Sequence, residues 1–283
     1  MHGIVPGPPS LDRDTVAHPV FIVGSPRSGT SILAQGLKAA GYAGYNEGNF
    51  LSLIAGLDAL VDRHVSIFAT SDAQGLMSVI DPRRLKQRLR RVVADSVASM
   101  HTGQVWFDKT GNPEMIEAIP ALLSIWPGAH VIFAKRRAIE NIVSRVIKFP
   151  GHDFSYHCAD WARNMRAWRC VDQLAVKLKA LEIDQYDIAR SPQATAGAIG
   201  RFLRLPIQNT ANMGHIFATS RPQATGQNTS MRILPLSATG WSDKQTALFH
   251  QHCDTEMHAF GYTEDESYRC AMVNENSTKR AAA

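Results

Sequence analysis

The sequence predicts an α/β protein: a P-loop-like parallel sheet with helices on both faces. Three observations predict it. Short unbroken apolar runs at Pro19–Gly24 and His130–Ala134 read as strands buried on both sides. Each is followed by a stretch with apolar residues at helical spacing, and strands alternating with helices imply right-handed crossovers. Between the first run and its helix lies a turn of Gly, Ser and Pro, where phosphate-binding loops are found.

The elements follow in order. Residues 1–18 carry Pro6, Gly7, Pro8 and Pro9 and are expected to form a flexible arm. The first strand leads to a helix over Thr30–Ala40, with Ile32, Leu33, Leu37 and Ala40 on one face and Gly41 as its stop. A helical insertion is expected over about 50–104, including a helix that Asp81-Pro82 opens and that runs towards Met100. Val105–Phe107 is a strand candidate, Pro113 opens a helix to Ile125, and Ala138–Val146 is the helix after the second strand. A long helix is expected from Tyr156 to Leu181, then a short strand over Ile183–Gln185, and helices from Pro192 to Leu203 and from Asp243 to Phe260. Residues 19–268 thus read as one domain, with residues 269–283 as a disordered tail.

Composition narrows the function classes. Hydrophobic residues make up 45% and charged residues 19% of 283, which is globular rather than disordered. The formal charge of +5 favours an anionic ligand but is too small and spread out to argue for nucleic acid. No signal-like or membrane-spanning run is evident, and Cys158, Cys170, Cys253 and Cys270 lack metal or disulfide-scaffold spacing. These features point to a cytoplasmic protein with free thiols. His152, His157 and Cys158 lack paired ligand spacing, so no metal is expected there.

Gly24-Ser25-Pro26-Arg27-Ser28-Gly29-Thr30-Ser31 is the most informative segment. It nearly matches GxxxxGK[ST], with Thr30 at the lysine position. Small residues let backbone N–H groups turn towards an anion, and the helix dipole adds to that attraction. The usual lysine serves the β- and γ-phosphates of a nucleoside triphosphate, so its absence counts against a kinase. Arg27 places a cation earlier, nearer a single group at the 5′ end of a nucleotide.

Farther on, His130–Arg145 reads as a strand running into a helix. Arg136 at the strand end can pair with a phosphate, and Ser144, eight residues later, can donate from the same side. Arg137, Arg145 and Lys148 leave a solvated charge cluster open as the alternative.

The loop resembles the 5′-phosphosulfate loop of sulfotransferases that use 3′-phosphoadenosine 5′-phosphosulfate (PAPS). Bacterial members and the tyrosylprotein sulfotransferases carry a similar Pro-Arg-Ser-Gly-Thr-[ST] sequence. The resemblance implies that Arg27, Ser28, Gly29, Thr30 and Ser31 hold the 5′-phosphosulfate. It also implies that Arg136 and Ser144 hold the 3′-phosphate, and that 3′,5′-adenosine bisphosphate (PAP) is the product. Glu47 lies where tyrosylprotein and heparan-type enzymes place a catalytic glutamate. Lys109, in FDKTGNPEM, is similar to their lysine, although Thr110-Gly111-Asn112 is inserted before Pro113. The family's cytosolic branch uses histidine as base, for which His101 is the nearest candidate. Gln185 stands at the family's tyrosine. Thr239-Gly240-Trp241 resembles a loop closing over the cofactor, with Arg221 and Arg232 as alternative 3′-phosphate ligands.

Sulfuryl transfer needs a base for the acceptor hydroxyl and cations beside the leaving phosphate. The resemblance implies Glu47 as base and Lys109 and Arg27 as the cations. The acceptor stays open among sugars, lipids, peptide tyrosines and natural-product phenols. The basic helix around Arg83, Arg84, Lys86, Arg88, Arg90 and Arg91 is a solvated face or a dock for an acidic acceptor. Two rivals remain: a small-molecule kinase with a degenerate loop, and a catalytically idle nucleotide-binding module.

Overall fold

A computed structural model describes residues 18–68, 75–101, 103–174, 178–220 and 233–270. Its centre is a five-stranded, wholly parallel sheet in the order β2-β3-β1-β4-β5, where β1 is Val20–Gly24, β2 Ala43–Tyr45, β3 Trp106–Lys109, β4 His130–Lys135 and β5 Lys179–Asp184. The helices are α1 Thr30–Ala39, α2 Phe50–Phe68, α3 Leu76–Val79, α4 Pro82–Met100, α5 Pro113–Glu117, α6 Ile119–Ile125, α7 Ala138–Lys148, α8 Phe154–Leu174, α9 Gln185–Arg190, α10 Pro192–Leu203, α11 Ile207–Thr219 and α12 Asp243–Ala259.

The pleat explains why β1 and β4 are apolar throughout. Phe21, Val23, Val131 and Phe133 point into a core shared with α5, α6, α7, α8 and α12. Their neighbours Val20, Ile22, Ile132 and Ala134 point into a second core with α1, α10 and α11. A strand buried on both faces cannot alternate apolar with polar residues. In the first core Trp168 of α8 stacks flat on Phe133, with ring centroids 4.5 Å apart. Burying one such side chain contributes roughly 1.5–3 kcal/mol.

Several expectations need correction. The helix expected to reach Leu181 ends at Leu174, and Lys179–Asp184 is strand, paired with β4 from His130↔Lys179 to Lys135↔Asp184. Ladder pairing on an open sheet edge overrides the local helical pattern there. The helix expected from Pro113 to Ile125 is two helices, because Pro120 has no N–H to give the Ile116 carbonyl. A strand, β2, separates α1 from the Glu47 loop, and α11 joins α10 with no earlier sign in the sequence.

Asp81 caps α4 as expected, accepting from the Arg83 amide at 2.9 Å. In α4, Lys86 pairs with Asp62 at 2.5 Å and Arg90 pairs with Asp58, so part of the basic run faces α2. Arg269, assigned to the tail, is instead held by Asp184 at 2.7 Å. Residues 1–17 of the arm and 271–283 of the tail lie outside the described residues. No helix among the described residues is long and apolar enough to cross a membrane.

Candidate active site

The carboxyl edge of the sheet gathers the site from four segments: the loops after β1, β2 and β3, and the β4–α7 junction. In open α/β sheets this edge is where ligands bind. The β1–α1 loop starts at Gly24, whose φ of 143° suits glycine. A Cβ there would lie 2.1 Å from the Ala134 carbonyl oxygen, so β4 also requires a bare backbone at that point. Arg27 adopts a left-handed φ of 72°, which is uncommon without glycine. Its carbonyl accepts from Arg136 Nη1 at 3.2 Å, and its own Nε donates to Ser144 Oγ at 2.9 Å.

The loop is braced from α7. Asn141 Nδ2 donates to the Pro26 carbonyl and to Ser28 Oγ, both at 3.0 Å. Arg145 donates to Ser25 Oγ at 3.2 Å and pairs with Asp160 at 2.7 Å. The Trp161 indole donates to the Arg136 carbonyl at 3.0 Å and fixes the strand end from α8. Ser25 and Ser28 are fully buried and Thr30 nearly so. Asn141 and Arg145 share a helical face with Ser144, and a wheel drawn through α7 would have disclosed both.

Two cations therefore meet at the start of α1. No side chain caps that helix, and no acidic residue occupies its first turn. The Arg27 guanidinium is pulled below its usual range by burial and by the charge of Arg136. Arg136 keeps part of its surface open while dense protein surrounds it. Burial pulls its guanidinium down too, against the opposing pull of Tyr268, Glu140 and Asp184. No carboxylate stands within ion-pairing distance of Arg136 among the described residues. Such a gathering of positive charge at a helix N-terminus suits an anion.

Arg137 has a different place. It is fully buried, paired with Glu140 at 2.5 Å, and donates to the carbonyls of Leu234, Thr263 and Asp265. It holds the C-terminal segment.

Beside the loop, Lys109 at the end of β3 forms an ion pair with Glu47. The lysine side chain is 4% exposed and the glutamate 60%, so one partner is anchored and the other reaches solvent. The Asn49 amide donates to Thr110 Oγ1 at 2.8 Å, and Gly48 lies so close to Asp108 that a Cβ would fall 1.6 Å from its Oδ1. Residues 47, 48 and 49 are thus matched to 109, 108 and 110. His101 is not in this group. Its ring stacks on Trp106 at 5.3 Å and meets Tyr45 edge-on at 5.5 Å.

Gln185 is placed against the loop, where a Cβ on Gly29 would lie 3.2 Å from its Cγ. Trp241 packs between Phe154 and Phe249, at 4.9 and 5.3 Å. Arg221 and Arg232 lie outside the described residues. Sequence reasoning missed the buried Asp184, which accepts from Tyr262 Oη at 2.7 Å and from Tyr268 Oη at 2.8 Å while pairing with Arg269.

A strand–loop–helix turn with half-buried arginines beside a Lys–Glu pair suits a transferase acting on an anionic donor. The sulfotransferase family model matches residues 19–209, so the chain belongs to the sulfotransferase family. Mouse sulfotransferase SULT7A1, solved in complex with PAP, aligns with a TM-score of 0.50 at 13% identity, over 87% of this chain and 86% of its own. Sulfotransferase STF9 from Mycobacterium avium aligns at 0.48 and 13% identity, over 85% and 77%. The sulfotransferase domain of the Synechococcus PCC 7002 olefin synthase aligns at 0.46 and 16% identity, over 97% of each chain. A search of curated protein sequences finds no match.

Proposed function

We propose that this sulfotransferase moves a sulfuryl group from PAPS to an acceptor hydroxyl, with Glu47 as base. The observation that carries the reading is the convergence of Arg27 and Arg136 on the uncapped N-terminus of α1, in a loop where Thr30 replaces the triphosphate-binding lysine. That donor set fits a nucleotide with separate 5′ and 3′ anionic groups better than a triphosphate chain. A solved relative of the same fold binds PAP.

The chain's own residues divide the work. Arg27 and the amides of Ser28 to Ser31 would hold the 5′-phosphosulfate, and Arg136 with Ser144 the 3′-phosphate. The donor supplies a sulfuryl group activated by its bond to phosphate. Glu47 would take the proton of the acceptor hydroxyl, which its exposure allows. Lys109, anchored in the strand, would offset charge on the leaving oxygen, as in phosphoryl transfer. The exposed, unpaired thiols of Cys170 and Cys270 suit a reducing compartment such as the cytoplasm.

Calorimetric titration with PAP, and separately with ADP and with ATP plus Mg²⁺, tests this reading. Preference for the 3′-phosphorylated ligand supports it. Preference for ATP with Mg²⁺ replaces it with a kinase.

A further inference from the structure

The helical insertion between β2 and β3 ends in an apolar tip that the core does not cover. Ile67 and Phe68 close α2 at 57% and 52% exposure, and Leu76 and Val79 of α3 stand at 67% and 64%. Leu76 and Val79, three residues apart, share a helix face, and α3 packs against α2. Exposed Leu60 lies seven positions before Ile67, on the same side of α2. Over half of the large exposed apolar side chains among the described residues belong to this insertion. Scattered exposed apolar residues are ordinary, but a concentration of them marks a surface that meets another apolar one.

The same region is basic. Arg63 of α2 and Arg83, Arg84, Arg88 and Arg91 of α4 are exposed. Among the described residues none of the five has a carboxylate within ion-pairing distance, whereas Lys86 and Arg90 are taken by Asp62 and Asp58. Arg84, Arg88 and Arg91 fall on one face of α4, at spacings of four and three. Asp81 caps the helix through the Arg83 amide, and no acidic residue stands in the first turn. Arginine at a helix N-terminus works against the helix dipole. The helix gains nothing from this charge, and the core gains nothing from those apolar side chains.

We propose that this tip docks the protein on an anionic phospholipid bilayer. Ile67, Phe68, Leu76 and Val79 enter the interface, and Arg83, Arg84, Arg88 and Arg91 face the lipid phosphates. Docking is independent of the reaction proposed above. An anionic bilayer offers an apolar interior and a negative surface together. A second copy of the chain offers only the first, because an isologous contact sets the arginines against their own counterparts. An acidic protein or glycan offers only the charge and leaves the apolar side chains in water. Contact is peripheral, since no helix among the described residues is long and apolar enough to cross a membrane. The tip is at the far end of α2 from Glu47, about 28 Å along the helix.

Co-sedimentation of the full chain with vesicles tests the docking. The vesicles are phosphatidylcholine alone, or phosphatidylcholine with about one-third phosphatidylglycerol, at low salt and at about 0.5 M NaCl. The wild type should bind the anionic vesicles at least tenfold more tightly than the neutral ones, and high salt should remove the preference. Ile67→Ser with Leu76→Ser should weaken binding to anionic vesicles at least tenfold, and Arg84→Glu with Arg88→Glu should abolish the preference for them. All four positions are exposed, so melting temperatures should stay within a few degrees of wild type, which separates lost docking from lost folding. Failure of the wild type to sediment with anionic vesicles overturns the proposal. So does binding that survives the serine substitutions in a folded protein, which makes the surface a dock for acidic partners alone. Sedimentation velocity covers the remaining occupant: a wild-type dimer that the serine variant splits into monomers makes the tip a self-contact and overturns lipid docking.

Discussion

Arg27 Nε donates to the hydroxyl of Ser144 at 2.9 Å across 117 residues of sequence. Two motifs recognised separately are therefore parts of one cluster. The contact also orients the Arg27 side chain from α7, and the bond from Arg136 to the Arg27 carbonyl completes the link. A side chain already placed loses less entropy when its ligand binds.

Arg136→Ala should weaken PAP binding at least tenfold, or about 1.4 kcal/mol, while leaving ADP binding less affected because ADP lacks the 3′-phosphate. Calorimetry on both ligands checks this. Equal losses would mean that Arg136 acts only by bracing the loop.

Glu47→Gln should keep PAP affinity and lower turnover by about 10²–10⁴-fold, the usual range for a lost general base. The Glu47 side chain is exposed, but its loss leaves the buried Lys109 ammonium with a neutral partner, so a modest loss of stability accompanies the change. Steady-state rates beside PAP affinity separate the two effects. A parallel fall in both would refute the base assignment.

Asp108→Asn should make the protein more stable at pH 7.5, an unusual outcome for a change beside an active site. The carboxyl is raised from 3.8 to about 6, so between those values the folded protein holds more protons than the unfolded chain. Stability contributed by this group falls as pH rises through that window and stays lower above it. The full shift corresponds to about 3 kcal/mol at most, less what an unpaired Asn amide costs. Thermal melts should show the advantage at pH 7.5 shrinking as pH approaches 4.

Asp184→Ala should destabilise the fold by about 3–5 kcal/mol, since it leaves Arg269 without its buried partner and strands the Tyr262 and Tyr268 hydroxyls. Burial and the Asp184 charge push both phenols well above their ordinary range. Urea unfolding measures the loss, and PAP affinity of the folded fraction should change little.

What the sequence made legible was local. A glycine-rich turn between a doubly buried strand and a helix announces itself within a dozen residues, and so does an arginine eight residues before a serine. The three residues of β2 are strand only because Trp106–Asp108 lie beside them in the ladder. Asp184 meets its tyrosines 78 and 84 residues away. Asp108 is defined by the loop at 47–49, and no spacing within its own segment reports that closeness. Lys179–Asp184 misled for the related reason that its pairing with β4, distant in sequence, outweighs the local helical pattern.

The strand order has a consequence for descent. Arg27, Arg136 and Ser144 come from β1, β4 and the helices after them, on one side of the sheet, whereas Glu47, Asp108 and Lys109 come from β2 and β3 on the other. The long excursion through α2, α3 and α4 leaves and re-enters between those last two strands. Mutation in that excursion leaves Arg27, Arg136 and Ser144 untouched. A lineage built on this plan can vary one side of the sheet while inheriting the other.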